Sequence, residues 1–495
     1  MSVTRLPKDP GPAAWNAILP EESARPSLET RMTADWLVIG AGFAGLSAAR
    51  RLSQLHPGDR IAVLEARRVA EGPAGRNTGF MIDLPHDLSS DDYGGDIEMD
   101  RLQIRMNRRG IDFAAEAAVE YGMPAEALRR SGKINGAATE KGQAHNRDYA
   151  GHLSELGEAH EILDAAEMRR ITGTEFYEGG LFTPGTAMIQ PALYTRNLAA
   201  GLVSSRVELY ENSPVTDLTC APDGAWVATT GAGAITAPKV ILAVNGHAES
   251  FGYFHRRLLH VFTYASMTRA LSTAEVERLG GEPTWGIIPA DPMGTTVRRI
   301  SGEGGHRIVV RNRFTYDPGM EVDDRRIEAV ARDHDRSFDA RFPMLADVEM
   351  EYRWGGRLCL SMNGVPAFGE IEPGLYSACC QNGLGTARAR SPVCLPRSWQ
   401  AGRRARRSPR CRVWRIRSAC RPSPSPGSAP MPRSATRSGA RVASFEGAGL
   451  RRSPGHKTPA GAMRGGGGGG DCLRLGHRDN RERQGSRRTR RLSSR

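Results

Sequence analysis

At 495 residues, 39% of them hydrophobic, the chain is long enough for two or three domains and a sizeable core. Its formal net charge of +13 suggests an acidic partner only until it is located: residues 388–495 carry 28 Lys+Arg against 4 Asp+Glu, which leaves residues 1–387 acidic at 40 against 51. No stretch approaches the ~20 apolar residues of a membrane span, and residues 1–33, rich in Pro and polar groups, hold no apolar run of signal-peptide length. A soluble cytoplasmic protein is the expectation, with Cys220, Cys359, Cys379 and Cys380 as reduced thiols.

The first informative stretch is "ADWLVIGAGFAGLSAARRLSQL". Trp36 to Ile39 form a short apolar run, expected as a strand buried on both faces. The turn Gly40-Ala41-Gly42-Phe43-Ala44-Gly45 follows, then a helical pattern with Leu46, Ala49, Leu52 and Leu55 on one face. A second strand, "RIAVLEA", ends at Glu65, twenty residues beyond Gly45. Each part has a physical task. Gly40 permits the tight turn, Gly42 lets backbone approach a pyrophosphate, and Gly45 lets helix and strand pack closely. The helix N-terminus presents partial positive charge to phosphates, and Glu65 is placed to accept hydrogen bonds from a ribose. The acid disfavours a 2′-phosphate, so a dinucleotide of the FAD or NAD type is expected, with an NAD-linked dehydrogenase as the rival reading.

"EARRVAEGPAGRNTGF" then runs from Glu65 into a Gly-rich polar loop, Gly72 to Gly79, where an NAD fold has a second crossover helix. Further on come "GGLFTPGTAMIQPALYTRNL" with a helix led by Pro191, "SPV" ending at Val215, and "APKVILAVNGH" from Ala237 to His247. Last are "EYRWGGRLCLSMNGVPAFGE" and "GLYSACCQNGLGT". Together these resemble the D-amino-acid oxidase family of FAD-dependent oxidoreductases, over about residues 34–386, in the branch of the gamma-glutamylputrescine and glycine oxidases.

The resemblance implies FAD as cofactor and a Rossmann-like parallel-sheet FAD domain interleaved with an antiparallel-sheet substrate domain. It divides the chain into an extension (1–33), an FAD domain (34–90, 185–252 and 352–387) and a substrate domain (91–184 and 253–351). It places Ala66 and Arg67 beside Glu65 at the adenosine, and Gly75, Arg76, Asn77 and Thr78 along the isoalloxazine. Val215 is assigned to the adenine, Gly246 to the returning glycine turn, and Asn382, Gly383 and Gly385 to the last turn beneath the ring. It also makes Cys359 a candidate for covalent flavin attachment.

The chemistry implied is oxidation of the C–N bond of a small amine or amino acid by hydride transfer to flavin N5. The imine product hydrolyses, and O2 or a quinone takes the electrons. Since the cofactor supplies the chemistry, the protein need only anchor the substrate and set the charge around the ring. A carboxylate is best held by the planar fork of an arginine. Arg311 in "RIVVRNRFTY", Arg353 and Arg269 are the candidates, with Tyr264 and His260 as partners; Arg311 and Tyr264 are preferred. Each taken singly has a plainer reading, because most arginines on a sheet are salt-bridged or solvated. His86 and Asp87 read as a loop cap, "SSDDYGGD" (89–96) as a solvated connection, and Cys379 and Cys380 as buried strand cysteines.

From Arg388 onward the pattern stops. Only 14 of the last 108 residues are Ile, Leu, Val, Met, Phe, Trp or Tyr, too few to offset the entropy of ordering, so a disordered tail is expected. Its Arg/Pro/Ser/Gly composition is also what GC-rich DNA yields in a wrong frame, and on that reading the chain binds FAD without the family's last helix and turns over little. A nucleic-acid-binding role for the tail is the alternative from another class; nucleic acid is not the expected partner.

Overall fold

The computed structural model describes residues 2–85, 95–291, 294–383 and 385–388. The expectations for His86, Asp87, most of "SSDDYGGD" and the tail beyond Arg388 lie outside these residues. Asp96, at the end of that acidic stretch, caps the Ile97–Glu120 helix by accepting from the Met99 N–H at 2.9 Å.

The fold is mixed α/β, built on two large sheets. The first has six strands in the order Val207–Tyr210, Ile61–Leu64, Trp36–Ile39, Lys239–Leu242, Leu375–Cys379 and Ala367–Glu372, with the last pair antiparallel and the others parallel. All four residues of Trp36–Ile39 are buried, as are all four of Ile61–Leu64. Alternation divides them between two cores. Trp36 and Val38 pack with Leu46, Ala49 and Leu52 of the Phe43–Leu55 helix, while Leu37 and Ile39 pack with Leu218, Trp226 and Ile235 on a smaller four-stranded sheet.

The second sheet has eight strands in the order Met350–Ser361, Leu258–Thr268, Arg307–Tyr316, Thr296–Ile300, Trp285–Pro289, Lys133–Ala137, Gly179–Thr183 and Glu161–Asp164. Neighbours are antiparallel except Trp285–Pro289 and Lys133–Ala137, which run parallel. The sequence reading groups residues 352–361 with the cofactor domain, whereas Met350–Ser361 pairs along its length with Leu258–Thr268 in this second sheet. On one face lies the Asp324–Arg341 helix, with Ile327 and Val330 against Phe262 and Tyr264. Ala265, Met267, Val309 and Trp354 on the other face join the core of the cofactor-side helices.

Residues 2–33 are an ordered strap between these units. Val3 donates to Thr216 O at 2.8 Å and Thr4 to Ser250 O at 3.0 Å. Gly355 donates to Pro10 O at 3.1 Å, so the strap accepts from the otherwise open side of the last long strand. Trp15 is wholly buried, and Arg31–Thr33 pairs with Ala234–Ala237.

Candidate functional site

A long cleft opens where the parallel strands end. The Gly40 turn has φ +104, a conformation that glycine adopts without strain, and a Cβ there would stand 2.7 Å from Ala243 O. A Cβ on Gly45 would stand 1.8 Å from Gly40 O, so helix and turn require glycine at both ends. Gly42 differs: its added Cβ would meet only Ala74 Cβ, at 3.7 Å, and its backbone lines the cleft. Phe43 and Ala44 follow on the cleft wall at the first turn of the 13-residue helix, whose N–H groups have no partners within the helix.

At the end of the neighbouring strand, Glu65 accepts from the Ala41 N–H at 2.8 Å and the Arg67 N–H at 3.2 Å. Burial raises its carboxyl above the usual range in spite of these bonds. Each oxygen keeps a lone pair for a hydroxyl donor. Ala66, Arg67, Val215 and Gly246 line the same cleft, as do Asn77, Gly383 and Gly385 farther along it. This cradle fits an extended dinucleotide: close-approach glycine backbone, a helix N-terminus, and a carboxylate at ribose distance from the turn.

Other residues assigned from the sequence have supporting places. Gly75 is packed so that a Cβ would meet Ala70 O at 1.8 Å. Arg76 turns away from the cleft and donates to Pro10 O and Gly11 O, both at 3.0 Å, and to Gly355 O at 3.2 Å. Burial lowers its guanidinium to about 10. It braces the strap against the sheet. Thr78 O accepts from buried Arg298 at 2.9 Å. Asn382, with φ +51, accepts from the Ser361 N–H at 2.7 Å and donates to Gly364 O at 2.8 Å, shaping the last turn.

The proposed substrate anchors separate by sheet face. Ser266 and Arg353 stand opposite each other in register, and Arg353 donates to Asp335 at 2.8 Å and Ser266 Oγ at 3.3 Å. Tyr264 shares that face, buried against Ile327 and Val330, with its hydroxyl 2.6 Å from Thr315 Oγ1. Both therefore serve the helix-covered side. Arg311 stands opposite Ala265, which stands opposite Trp354, so Arg311 is on the face whose indole donates to Arg76 O at 2.9 Å. Arg269 is tied to Glu275 at 2.8 Å. His260 lines the cleft, 2.6 Å from Glu249.

Among the cleft residues that the sequence reading does not single out, Arg357, Asp9 and His247 form a polar group. Arg357, four positions beyond Arg353, reaches the cleft with Asp9 of the strap and His247 around it. His247 Nε2 accepts from Arg357, and burial lowers the imidazole to about 3. Arg357 lay within a motif already singled out, but the order of the strap that supplies Asp9 has no signature in composition. Cys359 also lines the cleft, with its thiol against Cys380 at 3.4 Å.

Among the described residues no group of three or more His, Cys, Asp and Glu could hold a metal ion, and no helix is long and apolar enough to cross a membrane.

Comparison with known proteins agrees with this geometry. The chain is 26% identical over 362 residues to the probable oxidoreductase OrdL of Haemophilus influenzae, covering 72% of this chain and 80% of that one. It is 26% identical over 354 residues to the gamma-glutamylputrescine oxidoreductase of Escherichia coli, covering 71% and 79%. In structure it is similar to the glycine oxidase of Geobacillus kaustophilus, with a TM-score of 0.61 at 18% identity over 74% of this chain and 95% of that one. The profile of the DAO family, FAD dependent oxidoreductases, matches residues 35–389, which spans both sheets and every wall of the cleft except the strap. With the glycine cradle, the buried ribose acid and the paired sheets in the same chain, the protein belongs to the DAO family of FAD-dependent oxidoreductases, and its cofactor is FAD.

Proposed function

We propose that the chain oxidises the C–N bond of a small amine or amino acid, releasing an imine that water hydrolyses, with O2 or a quinone as final electron acceptor. When bound, FAD supplies the hydride acceptor at N5. Gly40, Gly42, Phe43, Ala44, Glu65, Ala66, Arg67, Val215 and Gly246 hold its nucleotide half on this reading. Asn77, Gly383 and Gly385 lie along the flavin. Gly45, Gly75, Arg76, Thr78 and Asn382 shape and brace the loops that do so.

The observation that carries the reading is the position of Arg311 on the Trp354 face of the second sheet, the face that meets the loop after Gly75. A guanidinium on that face is the side chain best suited to a substrate carboxylate, because its planar fork matches both oxygens. Arg298 fixes that loop by donating to Thr78 O and Ile189 O, at 2.9 and 2.6 Å, and so keeps the substrate side rigid. The names of the relatives, a gamma-glutamylputrescine oxidoreductase and a glycine oxidase, favour the same substrate class. The test is anaerobic addition of small amines and amino acids to the FAD-reconstituted chain. Bleaching of the visible flavin band with release of an aldehyde or oxo acid is expected. A chain that binds FAD and bleaches with none of them refutes the proposal.

A further inference from the structure

Cys359 lies in a strand of the second sheet, Cys380 directly follows a strand of the first, and their side chains touch. Cys359 belongs to the Met350–Ser361 strand, opposite His260, and Cys380 follows the last residue of the parallel strand Leu375–Cys379. Their sulfurs are 3.4 Å apart, and relative exposures of 2% and 0% mean that water does not compete for the contact. Cys359 also borders the cofactor cleft. Cys380 has φ +53, unusual for a residue with a side chain, and opens the turn that lines the cleft through Gln381 and Gly383. Its N–H is held by Asn245 Oδ1 at 3.1 Å.

The two thiols are inequivalent. The hydrogen bond from Cys359 holds Cys380 below the ordinary cysteine range, and the same bond, with burial, holds Cys359 above it. One sulfur is thus the better nucleophile and its neighbour keeps a proton. Adjacent Cys379 has a different setting. Its thiol donates to Leu242 O at 3.1 Å, and burial pushes it up to about 11.

We propose that Cys359 and Cys380 form a redox-active dithiol, which a peroxide oxidises to a disulfide that ties the second sheet to the turn beneath the cofactor. Cys380 sulfur attacks the peroxide, forming an S–O bond as the O–O bond breaks, and water departs. Cys359 sulfur then attacks the sulfenic sulfur; the S–S bond forms, the S–O bond breaks, and the second water carries off the remaining protons. Two thiols and one hydrogen peroxide give one disulfide and two waters. Joining two walls of the cleft by a covalent link slows any opening that releases cofactor, and a thiol reductant reverses it.

The experiment uses the full, FAD-reconstituted chain. After hydrogen peroxide, acid quenching and thiol blocking, the chain is cleaved at glutamate. Cleavage after Glu370 separates Cys359 from Cys380, whereas no Lys or Arg lies between Arg357 and Arg388. The expected product is a Cys359–Cys380 linked peptide, lighter by two hydrogens than the separate peptides and released by dithiothreitol. FAD release from the oxidised chain is expected to be several-fold slower. Cys379→Ser leaves the link in place, and Cys359→Ser stops oxidation at the sulfenic or sulfinic acid of Cys380. Recovery of both cysteines as blocked thiols, linkage through Cys379 or a tail cysteine, or a flavin mass on Cys359 overturns the proposal. None of these readouts depends on the substrate.

Discussion

Asp9 and Arg357, 348 residues apart, form a buried ion pair in which Asp9 Oδ1 accepts from Nε at 3.1 Å and from Nη2 at 3.0 Å. Asp9 is fully enclosed, with Arg67 4.0 Å from its other oxygen. Removing the carboxylate leaves the buried Arg357 guanidinium without its counter-charge, while Arg67 keeps Glu71 at 3.2 Å. Asp9→Asn is expected to lower stability by about 3 kcal/mol. The double variant Asp9→Asn/Arg357→Gln recovers much of that loss, because the uncompensated charge goes too. Thermal unfolding of the four chains checks the coupling, and additive losses would show that the pair does not act as one.

The strap also closes the cleft, since Val3, Leu6 and Asp9 stand in its wall together with Glu65 and Val215. Deleting residues 2–8, which keeps Asp9 and the Pro10 contacts, is expected to speed FAD release about tenfold, equivalent to roughly 1.4 kcal/mol. Flavin fluorescence recovered after dilution measures it.

Gly42 and Gly45 separate binding from folding. Gly45→Ala drives a methyl into Gly40 O, 1.8 Å from the ideal Cβ position, and is expected to cost more than about 4 kcal/mol and yield little folded chain. Gly42→Ala meets Ala74 at an ordinary 3.7 Å, so unfolding should change by no more than about 0.5 kcal/mol. Its methyl nevertheless enters the cleft, and FAD affinity should fall about tenfold or more. Titration with FAD beside thermal melts of each variant distinguishes the two effects.

Arg311, Arg353 and Tyr264 make a graded test of the substrate side. Arg311→Met is expected to reduce kcat/KM for carboxylate-bearing substrates by about 100-fold at unchanged FAD content, as loss of a charge-assisted hydrogen-bonded anchor does. Arg353→Met and Tyr264→Phe lose contacts with Asp335 and Thr315 on the opposite face. They should leave kcat/KM within about twofold, with Tyr264→Phe costing about 1 kcal/mol of stability. Equal losses in all three would refute the assignment by sheet face.

His334 sets an acid limb to stability. Burial lowers it from 6.5 to about 4; its ring meets the Ser266 hydroxyl at 2.7 Å and the Asn312 carbonyl at 3.4 Å, with Arg353 nearby. The unfolded chain therefore takes up the proton first. The stabilisation is whole above pH 6.5 and is lost as pH falls toward 4, about 3 kcal/mol in all. Denaturant midpoints across that window should slope less in His334→Gln than in the parent.

The nucleotide half of the site was legible because its determinants are local. Gly40, Gly42 and Gly45 act within one turn, and Glu65 follows at the end of the next strand, so spacing alone carries their geometry. The family resemblance extended that reading to the second sheet and to Asn77, Val215, Gly246, Gly383 and Gly385, all of which border the cleft. The substrate side was less legible. Arg311 and Arg353 look alike in sequence, and only strand register, with a bulge between Thr263 and Tyr264, assigns them to opposite faces.

By itself, then, the sequence determined the dinucleotide-binding turn with its flanking strands and helix, since short-range backbone constraints and apolar alternation suffice for these, while FAD and the class of chemistry came from its resemblance to a family. The tertiary structure alone decided that Val3, Leu6 and Asp9 stand in the cleft wall, that Asp9 meets Arg357, and that Arg76 braces the strap while Arg311 shares the sheet face of Trp354. It also decided that Cys380 contacts Cys359 where Cys379, its neighbour in the chain, does not. These depend on contacts between distant segments whose order comes from burial and register, and neither composition nor spacing records which buried partner a long side chain will reach.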